Sequence, residues 1–324
     1  MLHTTATADY ELSSPPQDGI SCVAFAPKDP KLLANVRVYD VENNNLKCRY
    51  EHRQAVLSTC FGDDTHLYSG GLDKDLKMYD LQAQKETILG SHDEAIRIVD
   101  YNQKTNMVIT GSWDKSVKTW DPRTPSHLSQ TDLPAKVFAM STADTKVVIS
   151  MAQRLIHIYD IRNMSETLQQ RESSLKFMTR VVKCMPNGEG YASGSIEGRV
   201  AVEFFDPSEA VQAKKYAFKC HRQMSEGVDN VYPVNALAYH PVYGTFASGG
   251  ADGFVSTWDG FNKKRLKQFT KYPTSIASIA FNGAGTLLAI ASSYTFEEGE
   301  KDTPPDSVFI RTILDGDVKP KNMA

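Results

Sequence analysis

Two neighbouring segments of the chain carry the side chains best suited to binding chemistry: GSIEGRVAVEF, residues 194–204, and KKYAFKCHR, residues 214–222. The planar guanidinium of an arginine holds a carboxylate through two charge-assisted hydrogen bonds, so Arg199 favours an acidic peptide as ligand. Lys219 and Arg222, two cations in one loop, could equally contact the oxygens of a phosphate group. One alternative stays open: Arg199 could pair internally with Glu197 or Glu203 and only stiffen its turn.

The sequence contains none of the residue patterns that are typical of an enzyme active site. The eight histidines show neither HxH nor HExxH spacing: His3, His52, His66, His92, His127, His157, His221 and His240. There is no GxSxG motif, and the SGG and GAG triplets are turn glycines rather than a phosphate-cradling loop. Folding could still gather distant histidines, but we predict no enzyme activity, catalytic residue, metal site or cofactor.

Composition narrows the class of protein. With 324 residues and a net charge of −3, the chain can bury a large core and gives no reason to expect nucleic acid or a membrane as direct partner. No leader pattern and no apolar run of about 18 residues is present, so we expect neither secretion nor membrane insertion. Scattered cysteines without CxxC spacing favour a reduced intracellular compartment: Cys22, Cys48, Cys60, Cys184 and Cys220.

A pattern of strand, turn and strand, ending in an aromatic residue and aspartate, recurs along the chain. An abbreviated copy, LLANVRVYD, occupies 32–40. The complete copies are LYSGGLDKDLKMYD (67–80), VITGSWDKSVKTWD (108–121), VVISMAQRLIHIYD (147–160), YASGSIEGRVAVEFFD (191–206) and FASGGADGFVSTWD (246–259). The first four closing aspartates are about 40 residues apart, which is the period of four-stranded propeller blades. We predict an all-β, seven-bladed propeller that forms one domain over residues 1–324 and is a monomer without its partner.

The seventh unit has one strand too few in the C-terminal sequence. Its strands are predicted within 276–285, 287–294 and 308–313, with an acidic loop before the last of them. The N-terminal segment YELSSP is predicted to supply the missing strand, which closes the ring and removes a free sheet edge. The basic run 262–271, NKKRLKQFTK, alternates like a solvated outer strand, which we favour over a nucleic-acid or nuclear-localisation patch.

The closing Tyr-Asp and Trp-Asp pairs resemble those of WD-repeat propellers. In that family a loop histidine, a strand serine or threonine, a turn aspartate and a strand tryptophan form a hydrogen-bonded scaffold. His92, Thr110 or Ser112, Asp114 and Trp120 match this pattern. Further matches in other units are Asp73, Asp252 and Trp258. The resemblance implies a structural role for these residues, since a buried histidine and aspartate satisfy one another.

Alignment of the repeats brings the binding residues together on one face of the propeller. Glu197, Arg199 and Glu203 fall at the positions of the turn aspartate, a turn serine and the closing tryptophan. In a WD-type blade, the turn between the middle strands and the loop leading into the next blade open on the same face. That face is predicted to collect a basic and aromatic cluster, with the tryptophan as an anchor: Trp113, Arg154, Glu197, Arg199, Lys219, His221 and Arg222.

One family within the WD-repeat class resembles the chain over nearly its whole length. The matching segments are RESSLKFMTR (171–180), GSIEGRVAVEFFDP (194–207), KKYAFKCHR (214–222), YPVNALAYHP (232–241), DGFNKKRLKQF (259–269) and YPTSIASIAF (272–281). They resemble the mitotic spindle-checkpoint WD-repeat proteins that partner Bub-type kinases. The resemblance implies a non-enzymatic adaptor of the nucleus, kinetochore and cytoplasm. Such an adaptor holds acidic GLEBS-type segments of checkpoint kinases and helps recruit them to phosphorylated kinetochore scaffolds. The alternative is a sister family, the messenger-RNA export propellers, which grip a similar nucleoporin segment at nuclear pores.

The first repeat departs from the family pattern. Between Leu33 and Val36 only Ala34 and Asn35 remain, where the second repeat has SGGLDKD. A hairpin needs two strands of about five residues and a turn, so this stretch cannot supply both. The family normally carries a Ser-Trp-Asp turn here, whose tryptophan contributes to the partner-binding face. We predict that blade 1 has a shortened or missing second strand, or only three strands, with lower stability and partner affinity.

Overall fold

The computed structural model describes residues 9–16, 18–34, 36–124 and 126–320. Within these ranges the strands form seven sheets of four strands each and one separate two-stranded ribbon. The first strand of each sheet contacts the first strand of the next sheet, and these contacts run around a closed ring. The predicted all-β, seven-bladed WD-repeat propeller is therefore confirmed.

The blades follow one another in chain order. After β1 (Tyr10–Glu11), blade 1 contains β2 (Ala24–Phe25), β3 (Leu32–Ala34), β4 (Arg37–Asp40) and β5 (Asn45–Arg49). Blade 2 contains β6 (Val56–Phe61), β7 (His66–Gly71), β8 (Asp75–Asp80) and β9 (Lys85–Ser91). Blade 3 contains β10 (Ile96–Asn102), β11 (Met107–Ser112), β12 (Ser116–Trp120) and β13 (His127–Asp132). Blade 4 contains β14 (Val137–Ala143), β15 (Lys146–Met151), β16 (Leu155–Asp160) and β17 (Asn163–Glu172), with a helical turn at Ala152–Arg154.

The second half of the ring carries the insertions. Blade 5 contains β18 (Thr179–Cys184), β19 (Gly190–Ser195), β20 (Arg199–Phe204), helix α1 (Glu209–Gln212) and β21 (Tyr216–Lys219). The ribbon of β22 (Arg222–Ser225) and β23 (Val228–Val231) follows it. Blade 6 contains β24 (Val234–Tyr239), β25 (Phe246–Gly250), β26 (Val255–Asp259) and β27 (Lys264–Gln268). Blade 7 contains β28 (Ile276–Phe281), β29 (Leu287–Ser292) and β30 (Ser307–Thr312), and helix α2 (Asp315–Val318) follows. No helix among the described residues is long and apolar enough to cross a membrane.

Blade 7 takes its outer strand from the other end of the chain. Tyr10 pairs with Ile310 and Glu11 with Phe309, so β1 lies antiparallel to β30. The backbone N–H of Leu12 extends this pairing with a 2.8 Å hydrogen bond to a blade 7 carbonyl. The first and last strands of the described chain thus share one sheet, and backbone hydrogen bonds close the ring.

The hydrophobic core lies between the blades. Because each sheet packs against the next one, a middle strand is buried on both faces, and Val147, Val148 and Ile149 of β15 are all fully buried. Outer strands face solvent instead. In β27 only Leu266 is half-buried, so the interpretation of the basic run as an outer strand is confirmed for Lys264–Gln268.

Blade 1 is short but keeps four strands. β3 has three residues where the corresponding β7 of blade 2 has six, and it pairs with both β2 and β4. The predicted shortening of the second strand is confirmed. The three-stranded alternative is wrong, because three residues suffice to hydrogen-bond to both neighbouring strands. Val36, in the turn that follows, has φ 79°, a left-handed conformation that is strained for a β-branched residue.

Candidate partner-binding site

Blade 3 carries a complete hydrogen-bonded scaffold. The His92 imidazole lies 2.8 Å from Asp114 Oδ2 through Nδ1 and 2.7 Å from Thr110 Oγ1 through Nε2. Trp120 Nε1 donates to the same Thr110 hydroxyl at 2.9 Å. Ser112, the other candidate for this role, sits at the end of β11 and donates to a carbonyl of the preceding loop at 2.9 Å, so the scaffold hydroxyl is that of Thr110. Burial lowers the pKa of His92. The charge of Asp114 acts in the opposite direction but is the smaller effect, so the imidazole stays neutral.

Blade 6 uses the same scaffold, and this corrects the expected place of His221. Its Nδ1 lies 2.8 Å from Asp252 Oδ1 and its Nε2 lies 2.8 Å from Ser248 Oγ, which also accepts the indole N–H of Trp258 at 2.8 Å. His221 is buried because both of its nitrogens are satisfied inside the blade, so it does not join the exposed cluster. Blade 2 repeats the arrangement with Tyr50, His52, Ser69 and Asp73. Across the described residues, no three His, Cys, Asp or Glu side chains lie together as a metal site would need.

Blade 5 lacks the histidine of this scaffold. Four residues before its inner strand, where blade 3 has His92, it has the buried Leu175. The turn carboxylate of Glu197 therefore has no imidazole to bind. It accepts the backbone N–H of Lys176 at 3.1 Å and lies 3.5 Å from Arg199 Nε. In blades 3 and 6 the turn carboxylate binds a buried histidine, whereas in blade 5 it lies beside an arginine side chain.

The closing tryptophan of blade 5 is replaced as well. Glu203 is buried at that position and accepts a hydrogen bond from the Tyr191 hydroxyl. Burial raises the pKa of Tyr191, so the phenol remains a donor. Ser193, which corresponds to Thr110, has a buried hydroxyl without a partner among the described residues. Of the two acids considered for Arg199, the one it contacts is Glu197.

Arg199 and Lys219 form a pair of like charges at one edge of blade 5. They are direct neighbours across the sheet, at the start of β20 and the end of β21. Arg199 keeps 35% of its side chain exposed. Lys219 is exposed, and its ammonium group makes no hydrogen bond or ion pair with any described residue. A cavity of about 420 Å³ opens beside it, with Arg222, Trp258 and Arg265 also in its lining. Like charges directly opposite each other on a sheet repel, so this edge favours a bound anion.

Arg222 and Arg154 are fastened within the chain. Arg222 donates to the Glu197 carbonyl at 2.8 Å and to Asp229 Oδ2 at 2.7 Å, which ties the β22–β23 ribbon to the turn of blade 5. Arg154 donates to two carbonyls of the loop 173–175, at 2.9 and 3.0 Å. Both arginines hold loops of this face in place, and their predicted contact with a partner stays a prediction.

Exposed apolar side chains occur in the same blade as Arg199 and Lys219, whereas the predicted anchor Trp113 lies in blade 3. Trp113 is two blades away, in the turn between β11 and β12, and its half-buried indole has no hydrogen-bond partner among the described residues. In the loop before β18, Phe177 and Met178 are 54% and 39% exposed. The Met178 carbonyl accepts the backbone N–H of Ile196 at 3.1 Å, next to Glu197. Sequence reasoning missed this pair, although two adjacent apolar residues in a polar loop were a usable signal.

Comparisons with known proteins agree with this architecture. Residues 83–121 and 218–259 match the family described as WD domain, G-beta repeat. The chain is 53% identical over 331 residues to mitotic checkpoint protein BUB3.1 of Arabidopsis thaliana, with 99% of this chain and 97% of the relative covered. It is 48% identical over 322 residues to mitotic checkpoint protein bub3 of Dictyostelium discoideum, with 97% of each covered. It is 36% identical over 332 residues to mRNA export factor GLE2 of Chaetomium thermophilum, with 97% and 92% covered.

Proposed function

The chain belongs to the family of mitotic checkpoint WD-repeat propellers, with a role in the spindle checkpoint, and from that premise we propose a specific binding function. It is a non-enzymatic adaptor that captures an acidic, GLEBS-type segment of a Bub-type checkpoint kinase. The segment binds across the face that carries Glu197, Arg199 and Lys219. The adaptor works in the nucleus and cytoplasm, and it recruits the kinase to phosphorylated scaffolds at kinetochores.

The repulsion between Arg199 and Lys219 is the observation that carries the proposal. Each guanidinium or ammonium group near the protein surface raises the energy of the other while no anion lies between them. A partner carboxylate placed between them replaces this repulsion with charge-assisted hydrogen bonds. Glu197, at 3.5 Å, is too far from Arg199 Nε for a strong hydrogen bond and leaves the guanidinium free to turn outward.

The neighbouring contacts support an extended ligand. Arg154 and Arg222 hold the loops on either side of the blade 5 turn. Phe177 and Met178 supply exposed apolar area beside the cations. A segment that combines acidic side chains with apolar anchors fits both kinds of surface.

The test is calorimetric titration of the chain with a GLEBS-type peptide from a checkpoint kinase. We expect Arg199→Glu and Lys219→Glu each to weaken binding about tenfold or more, because a partner carboxylate then meets like charge. The melting temperature should change little, since Lys219 is exposed and Arg199 is half-buried at the edge of the sheet. Arg162→Glu is the matched control: Arg162 also pairs with an acid two residues before it, at 2.6 Å, but at the opposite end of a blade. Unchanged binding in both blade 5 variants would contradict the proposal.

The same titration with the corresponding nucleoporin peptide distinguishes the alternative adaptor. Tighter binding of that peptide would favour the export role suggested by the name of the Chaetomium relative. No binding of either peptide by the folded wild-type chain would mean that the residues missing from blade 1 are part of the site.

A further inference from the structure

The loop between the middle strands of blade 7 is much longer than the equivalent turns of other blades. It covers residues 293–306, whereas the turns of blades 2, 3 and 5 have three residues each. Every residue from 296 to 305 is exposed. Five acids and one lysine give the loop a net charge of −4: Glu297, Glu298, Glu300, Lys301, Asp302 and Asp306. Loops of more than about 12 residues are uncommon in compact domains and are often functional.

The two halves of this loop differ in their contacts. In the first half, the Glu298 N–H donates to the Tyr294 hydroxyl at 2.9 Å, and Glu297 accepts from Asn235 Nδ2 of blade 6 at 3.4 Å. In the second half, Thr303 makes no hydrogen bond with any described residue, either through its backbone or through its hydroxyl. The first half therefore anchors the loop, and the second half presents a free threonine hydroxyl to solvent.

Two prolines follow Thr303. Pro304 disfavours helical backbone at Thr303, and Pro305 does the same at Pro304, so the segment is biased toward an extended conformation. Residues 301–306 form neither helix nor strand. A protein kinase binds the residues around its acceptor hydroxyl in an extended conformation. A proline-directed kinase leaves no hydrogen-bond partner for an N–H after the acceptor, and proline has no N–H. The exposed Thr303-Pro304 sequence meets both requirements.

Two other serine or threonine residues precede a proline in the sequence, and the fold occupies both of them. Thr124, before Pro125, is half-buried, and its hydroxyl donates to a carbonyl of its own turn at 3.0 Å. Ser14, before Pro15, has φ 52°, a left-handed conformation, and its carbonyl accepts two side-chain hydrogen bonds at 2.9 Å. Of the three acceptors, only Thr303 combines a free hydroxyl with an extended, exposed segment.

We propose that Thr303 is a phosphorylation site for a proline-directed protein kinase. Thr303 Oγ1 attacks the γ-phosphorus of ATP, and the bond from this phosphorus to the bridging oxygen breaks. ADP leaves, and the hydroxyl proton passes to a carboxylate of the kinase. Asp306, three residues after the acceptor, disfavours kinases that need a basic residue at that position, so proline is the main requirement.

The added phosphate acts on the partner-binding face, and this effect, unlike the modification itself, rests on the proposed function. Phosphorylation adds a charge of about −1.5 to −2 to a loop that is already acidic. The loop opens at the same end of the ring as the turn before Arg199, since both connect the middle strands of a blade. An acidic segment that approaches this face is repelled more strongly after phosphorylation, and salt screens the repulsion. Phosphorylation of Thr303 thus weakens capture of the segment.

The experiment incubates the folded full chain with a mitogen-activated protein kinase and Mg-ATP, and mass spectrometry locates the phosphate. We expect phosphorylation at Thr303. Thr303→Ala should abolish it, whereas Thr303→Ser should be phosphorylated like the wild type. Pro304→Ala keeps the hydroxyl but should slow phosphorylation about tenfold or more, because it restores an N–H after the acceptor and releases the backbone. The melting temperature should not change, since the substituted residues are exposed.

Controls measure what the fold contributes and what the phosphate does. Short peptides that contain Ser14 or Thr124 should be phosphorylated, because their hydroxyls and backbones are free there. In the folded chain, Ser14→Ala and Thr124→Ala should leave the amount of phosphate unchanged. Calorimetric titration with a GLEBS-type peptide should show about threefold or more weaker binding to the phosphorylated chain at low ionic strength, and a smaller difference at high ionic strength.

Three results would overturn the phosphorylation site. In the first, the kinase modifies a peptide that contains Thr303 but not the folded chain. In the second, Pro304→Ala is phosphorylated as fast as the wild type. In the third, Thr124 is modified faster than Thr303. Unchanged peptide affinity after full phosphorylation, while Arg199→Glu still weakens binding, would overturn the inhibitory effect alone. If Arg199→Glu and Lys219→Glu also leave binding unchanged, the proposed function fails instead.

Discussion

Blades 3 and 5 have the same four-strand order and the same three-residue turn between their middle strands, but they use their polar residues in opposite ways. In blade 3, His92, Thr110 and Asp114 satisfy one another, and Trp120 seals the group from the side. In blade 5 the buried Leu175 occupies the histidine position. Glu197 occupies the position of Asp114, and its carboxylate lies beside the side chain of Arg199. A blade that binds its own polar groups has none left for a partner, whereas blade 5 leaves charge exposed.

The largest effect that this comparison predicts is a difference in stability between variants of Thr110 and of Ser193, which occupy corresponding positions in blades 3 and 5. Thr110→Val should cost about 2–6 kcal/mol, because it leaves the His92 Nε2 and the Trp120 N–H buried without a partner, at about 1–3 kcal/mol each. Ser193→Ala should change stability by less than about 0.5 kcal/mol or increase it, because the hydroxyl it removes is unpaired among the described residues. Chemical denaturation of both variants measures the difference. Equal losses would mean that blade 5 contains a scaffold after all.

The sequence was sufficient to predict the fold. Six of the blades repeat one short pattern with a closing aromatic-Asp pair, and the period of about 40 residues among the first four is visible without any long-range contact. The replacement of the closing tryptophan by Glu203 was equally visible, because it breaks a pattern that the other repeats establish.

The partners of individual charges were not predictable in the same way. The β22–β23 ribbon lies between His221 and its inner strand, which hides the short spacing that identifies His92 as a scaffold residue. Arg222 is tied down by Asp229, a contact that exists only because this inserted ribbon folds back. Such contacts depend on the path of an insertion, which the repeat does not specify.

Acidification should affect the blades with a histidine scaffold. Burial lowers the pKa of His52 and His92 below the unfolded value of about 6.5, so the unfolded chain binds protons more readily. The stability they contribute is fully present above that value and is lost as the pH falls through the folded pKa. We expect the melting temperature to drop between about pH 7 and pH 5. His92→Gln should be less stable at neutral pH but lose less on acidification. An identical pH slope in the variant would show that His92 does not titrate on unfolding.

Blade 1 differs from the other blades by a strained turn and not by a changed set of polar contacts. Substitutions in that turn should give the smallest effect on stability. Val36→Gly and Val36→Ala both remove the contacts of the valine with the blade 1 core, but only glycine removes the Cβ atom that clashes at φ 79°. At an ordinary backbone position, glycine is less stable than alanine by about 0.4–1 kcal/mol. Here we expect the reverse, with Val36→Gly more stable than Val36→Ala by about 1 kcal/mol. Thermal denaturation of the pair gives the sign directly. If alanine proves the more stable, the short turn of blade 1 is relaxed, and the loss of residues there has left no strain in the backbone.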